Sequence, residues 1–99
     1  MKYQPEFAFL NYNLDKILSM LGKEFDSGSF INAFRSLFPN EYATAISKDA
    51  SFRGFHTWVA RWYLNGLADQ GTSLSKKGQV RSRKSENQNT TRNNVWVKK

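Results

Sequence analysis

The chain has no cysteine, a single histidine and two prolines among its 99 residues. Without thiols, a disulfide frame, a zinc knuckle and a cysteine nucleophile are all excluded. The lone histidine, His56, has no second imidazole or thiol to share a metal with, so a half-buried structural role is the expectation for it. No serine or threonine has a recognisable base partner. Glu24 and Asp26 flank Phe25 in a loop-like stretch where a helix-entry role is commoner than acid–base work. "GTSLSKKG" has glycine, serine and lysine, but not the spacing of a phosphate-binding loop. The residues therefore point away from an enzyme and imply no cofactor. The apolar runs are short as well. The opening "MKYQPEFAFLNYN" is too short in apolar residues for a leader or a membrane span, so the expectation is a soluble, cytoplasmic protein.

Acidic residues are scarce in one place. Residues 1–75 balance seven bases against seven acids, whereas residues 76–99 carry eight bases against Glu86 alone. The whole net charge of +7 thus sits in the last quarter of the chain. Such asymmetry points to a polyanionic partner. What is plentiful is aromatic surface, with eight Phe, four Tyr and three Trp, enough for one well-filled core in a single domain spanning 1–99.

Apolar spacing predicts helices at about 12–21, 29–38, 41–47 and 51–68. "FAFL" at 7–10 reads as a short strand or a lead-in packed on the core. Leu14, Ile17, Leu18 and Leu21 mark the first helix, with Gly22 at its end. Phe30, Ile31, Phe34, Leu37 and Phe38 line the second, which Pro39 stops. "KEFDSGS" between them reads as a loop. Asp49 or Ser51 can cap the fourth helix, whose inner stripe is Phe52, Phe55, Val59 and Trp62 at 100° per residue. Arg53, Thr57 and Arg61 form its opposite face. Leu64 falls among those polar residues and does not fit the pattern.

Two alternating segments follow, "GQVRSRK" and "NVWVK", joined by the polar "SENQNTTRN". They predict an antiparallel hairpin over about 78–99. In it Val80, Val95 and Val97 face the helices, and Trp96 and the arginines face out.

This order of elements, three or four helices and then a basic hairpin, resembles the winged helix-turn-helix family. The resemblance implies a mainly α fold with a small antiparallel β-hairpin, a winged-helix-like three- or four-helix core with a C-terminal wing. It implies a DNA-binding protein, a transcriptional regulator or accessory factor, in which helix 51–68 enters the groove of double-stranded DNA. Arg53, Thr57 and Arg61 would then face the bases, with His56 flanking them. Arg81, Arg83, Lys84 and Arg92 would lie on the wing. Lys76 and Lys77, at its base, complete the expected nucleic-acid contacts. The chemistry of the side chains agrees. Arginine bridges two acceptors on guanine, threonine meets a thymine methyl or a phosphate, and lysine suits phosphate as a point charge.

Two other readings stay open. One is RNA or single-strand binding with Trp96 as a stacking platform. The other is an adaptor or inhibitor whose basic hairpin meets an acidic protein surface, with Leu64 in the interface. A homodimer is compatible with either DNA or protein binding, although no separate dimerisation helix is evident.

Overall fold

The computed structural model describes residues 3–48, 53–71, 73–83 and 90–98, of which 53, 78–83 and 90–93 as backbone only. The elements are α1 (Gln4–Tyr12), α2 (Leu14–Leu18), β1 (Glu24–Asp26), α3 (Ser27–Leu37) and α4 (Pro39–Ser47). A longer composite helix follows, made of α5 (Arg53–Trp58), a π-helical turn (Val59–Tyr63) and α6 (Leu64–Gln70). The chain ends in β2 (Leu74–Arg83) and β3 (Thr90–Lys98). It is mainly helical, with one small antiparallel sheet of strand order β1-β3-β2.

Local chemistry sets the boundaries. Pro5 stands in the first turn of α1, where its missing N–H costs nothing. Residues 7–10 are therefore helical, neither strand nor lead-in. The alternation of Phe and Ala there mimics a strand, but Glu6 and Leu10, four apart, are the buried positions. Asn13 has left helical geometry, and its side-chain amide donates to the Phe9 carbonyl at 3.0 Å. This splits the expected helix 12–21 into the end of α1 and a short α2. Asp26 caps α3 by accepting the Ser29 amide N–H at 2.8 Å. Phe38, out of helical geometry at φ −134° and ψ 66° ahead of Pro39, separates α3 from α4. The composite helix ends at Gly71, whose φ of 73° belongs to the left-handed region that glycine enters freely. The expected caps Asp49 and Ser51, and Phe52 of the inner stripe, lie outside the described residues.

Phe55, fully buried, is a hub of the core. Its ring lies 5.4 Å from Tyr3, 5.9 Å from Phe34 and 6.3 Å from Tyr42, joining α1, α3 and α4 to the composite helix. Offset and edge-on rings of this kind suit the aromatic quadrupole.

Two features of the stripe on that helix differ from the α-helical expectation. Trp62, expected inside, is 72% exposed, and Leu64, which did not fit the pattern, is fully buried. The cause is the π turn, in which the Leu64 N–H donates to the Val59 carbonyl five residues back. That wider turn takes up about one extra residue, so everything after it is rotated by about 100° relative to a continuous α-helix. Trp62 swings out, while Tyr63, Leu64 and Leu67 stay on the core side.

β1 is a strand where a loop was expected. Only Phe25 of its three residues is apolar, too little for alternation to register. β3 lies between β1 and β2, pairing Phe25 with Trp96 on one side and Lys76 with Trp96 on the other. The hairpin is longer than expected. β2 starts at Leu74 and β3 already at Thr90, with a bulge between Lys76 and Gly78. Trp96, expected to face out, faces in. Trp96 is fully buried and belongs to the main core, whereas Val97 is only half-buried and Val95, though buried, is not part of that core. The indole is the largest residue of "VWV" and removes the most area from water, and its N–H donates to the buried Ser27 hydroxyl at 3.1 Å.

Candidate nucleic-acid interface

The composite helix presents Thr57 and Arg61 one turn apart, both exposed. The helix buries Phe55, Val59 and Tyr63 on its other side, so the core fixes which way these two side chains project. Arg61 has no ion-pair partner among the described residues, and its carbonyl accepts the Asn65 side-chain amide at 2.7 Å, which steadies the widened turn. The side chain of Arg53 lies outside what is described.

His56 does not join that face. It is half-buried, and its Nε2 shares a 2.6 Å hydrogen bond with the Tyr42 hydroxyl of α4. The Arg35 guanidinium of α3 lies 5.6 Å from the centre of the Tyr42 ring. Burial first, and the positive charge of Arg35 second, hold the imidazole below its ordinary pKa. His56 thus ties the composite helix to α4 and is a structural residue. Tyr63 is similarly engaged. Its hydroxyl donates to Asn11 Oδ1 at 2.8 Å, and burial pushes its pKa well above the usual phenol range.

The sheet carries the expected basic residues of the wing. Lys76 is exposed, with its ammonium 6.0 Å from the Trp96 ring centre, so its stem covers the edge of the core. Lys77 is exposed too, but it pairs with Glu24 of β1 at 2.8 Å. With both side chains about half-exposed (57% and 52%), that pair contributes little and can be exchanged for another anion. Lys98, by contrast, is committed to the fold. Its ammonium donates to the carbonyls of Leu18 and Leu21 at 3.1 and 2.9 Å, a cation at the C-terminal end of α2.

Of the remaining expected contacts, Arg81, Arg83 and Arg92 are described by backbone alone, and Lys84 lies outside the described residues. The ladder puts Arg81 directly opposite Arg92, and Arg83 opposite Thr90. The expected outward facing of these arginines lies outside the described side chains.

Two residues named in the alternative readings are not available. Trp96 is fully buried and cannot serve as a stacking platform, and Leu64 is fully buried and cannot contribute to an interface. Among the described residues, the aromatic side chains that stand furthest in solvent are Tyr12, 89% exposed, and Trp62, with Phe7 next at 37%. Sequence periodicity could not find Trp62, because a regular helix turns it inward.

Elsewhere, an open notch of about 200 Å³ lies between α1, α3 and α4, floored by Phe9 and Phe34 and rimmed by Glu6 and Glu41. Glu6 is buried there and paired with Lys48 at 2.8 Å. The rim is acidic, so it does not extend the basic surface. Among the described residues no cluster of three His, Asp or Glu could hold a metal, and no helix is long and apolar enough to cross a membrane. The chain matches no protein-family model, no curated protein and no solved structure.

Proposed function

We propose that this is a small DNA-binding protein of the winged-helix kind, a transcriptional regulator or accessory factor acting inside the cell. The composite helix enters the major groove of duplex DNA and the β2–β3 ribbon grips the flanking phosphates. The observation that carries this reading is a connection. The helix that exposes Thr57 and Arg61 turns at Gly71 straight into the ribbon that holds the chain's excess positive charge. Groove-facing residues and phosphate-gripping residues thereby belong to neighbouring elements, as one docking event on a duplex requires.

The topology supports the same reading. A short strand between the early helices closes the sheet in the order β1-β3-β2, and this anchors the base of the ribbon to the helical body through Phe25 and Trp96. A two-stranded ribbon alone is marginally stable in water, and the third strand makes it a firm arm. The inserted α4 lengthens the path from α3 to the groove-facing helix.

The test is a titration of labelled duplex at several salt concentrations, with the wild type and with a variant in which Arg81, Arg83 and Lys84 are all alanine. Each phosphate contact contributes about −0.9 to the slope of log K against log salt, so losing three reduces the slope by about 2.7. An unchanged affinity and slope would remove the ribbon from the mechanism. Arg61→Ala is expected to blunt discrimination between sequences by about 1–3 kcal/mol at one base pair.

A further inference from the structure

Resting on the duplex-binding reading, we infer that Trp62 stacks on an unpaired base, so that the preferred partner is DNA with a junction between duplex and single strand. The indole is 72% exposed on the helix that also exposes Thr57 and Arg61, and it is adjacent in sequence to Arg61, which has no ion-pair partner among the described residues. Its exposure is built in by the backbone. The π turn keeps Val59, Tyr63 and Leu64 buried while turning Trp62 out.

The indole itself gains little from the intact groove of B-form DNA. The major groove offers the edges of bases, where the only apolar groups are thymine methyls. An indole finds a flat π face only where the base stack is open, at a strand end, a fork or an extruded nucleotide. The neighbouring guanidinium suits the phosphate beside such a base, and the basic ribbon suits the duplex arm behind it.

The experiment compares a blunt DNA hairpin with the same hairpin carrying a short single-stranded extension, at fixed salt, by fluorescence anisotropy of the labelled DNA. Base stacking on an aromatic side chain is worth about 5- to 150-fold in affinity per base, so the extended hairpin is expected to bind more tightly within that range. Trp62→Ala and Trp62→Leu should both bring the ratio of the two affinities to about one, while Trp62→Phe retains part of it. Binding of the extended hairpin should also quench the tryptophan emission that iodide reaches in the free protein.

Salt-dependent binding of both hairpins, with equal affinities and no effect of Trp62→Ala on their ratio, would overturn the inference and leave the duplex reading intact. A preference kept by Trp62→Leu would likewise overturn it, since leucine supplies apolar contact without stacking. Absence of binding to either hairpin at any salt concentration would remove the duplex reading and this inference with it.

Discussion

The exchange of Trp62 and Leu64 across the π turn makes a sharp prediction about stability. Consider three variants, Trp96→Ala, Leu64→Ala and Trp62→Ala. Trp96 and Leu64 are fully buried, and Trp62 is 72% exposed. A buried tryptophan hides about 150–250 Å², worth roughly 4–6 kcal/mol at 25 cal/mol per Å², and measured truncations of large aromatics cost about 3–5 kcal/mol. Trp96→Ala also strips the buried Ser27 hydroxyl of its donor, so the upper part of that range applies. Leu64→Ala should cost about 2–5 kcal/mol. Trp62→Ala, with most of its ring already in water, should cost about 1 kcal/mol or less.

For a domain of this length 1 kcal/mol corresponds to about 4–8 °C in Tm, so Trp96→Ala should lower Tm by roughly 15–40 °C and Trp62→Ala by a few degrees. Urea unfolding followed by far-UV circular dichroism measures all three without depending on the tryptophans being removed. A regular α-helix through 59–63 would give the opposite order, with Trp62→Ala severe and Leu64→Ala mild. That outcome would refute the π turn and, with it, the outward placement of Trp62.

Other consequences follow from the remaining contacts. Lys98→Met keeps the apolar stem and deletes the ammonium at the end of α2, and should cost about 0.5–2 kcal/mol in the same urea assay. Lys48→Met leaves the buried Glu6 carboxylate without its 2.8 Å partner and should destabilise by about 2–4 kcal/mol, part of which Glu6→Gln in the same chain restores. The pH dependence follows from His56, whose pKa is lower in the folded protein than the ordinary 6.5. Between those two values the unfolded chain binds more protons, so stability falls as pH drops below about 6.5 and is level above it. His56→Gln should flatten that slope, as measured by urea midpoints across the acidic range.

Much of the helical part was legible in the sequence, because single apolar faces record it. Phe30, Ile31 and Phe34 mark α3, and Phe55 and Val59 mark the inner side of α5 and the start of the widened turn. The acidic residue ahead of α3 and the proline after it bound that helix as their chemistry requires. What was not legible has three physical causes. Periodicity assumes a constant turn, so a π turn at 59–63 inverts the assignment of Trp62 and Leu64. A three-residue strand such as β1 has one apolar residue and acquires its identity only from its partner β3. In "VWV" every residue is apolar, so alternation fixes two faces without saying which is inner, and packing of the indole against the helices decides it.

The candidate surface divides in the same way. Thr57 and Arg61 could be read as the outer face of a helix because Phe55 and Val59 define the inner one. The surplus of bases at the end of the chain was visible in composition, but composition does not distinguish the exposed Lys76 from Lys98, which is bound to helix-end carbonyls. Nor does it show that Lys77 already has an acidic neighbour in Glu24. These distinctions depend on which strand lies beside which helix.

The central proposal, that the composite helix and its adjoining ribbon bind duplex DNA together, is tested most directly by salt-dependent duplex binding. The wild type should show a steep log–log slope that becomes shallower by about 2.7 when Arg81, Arg83 and Lys84 are replaced together, with Arg61→Ala losing sequence preference separately. Duplex affinity that is insensitive to salt, or identical slopes for the wild type and the triple variant, would contradict it.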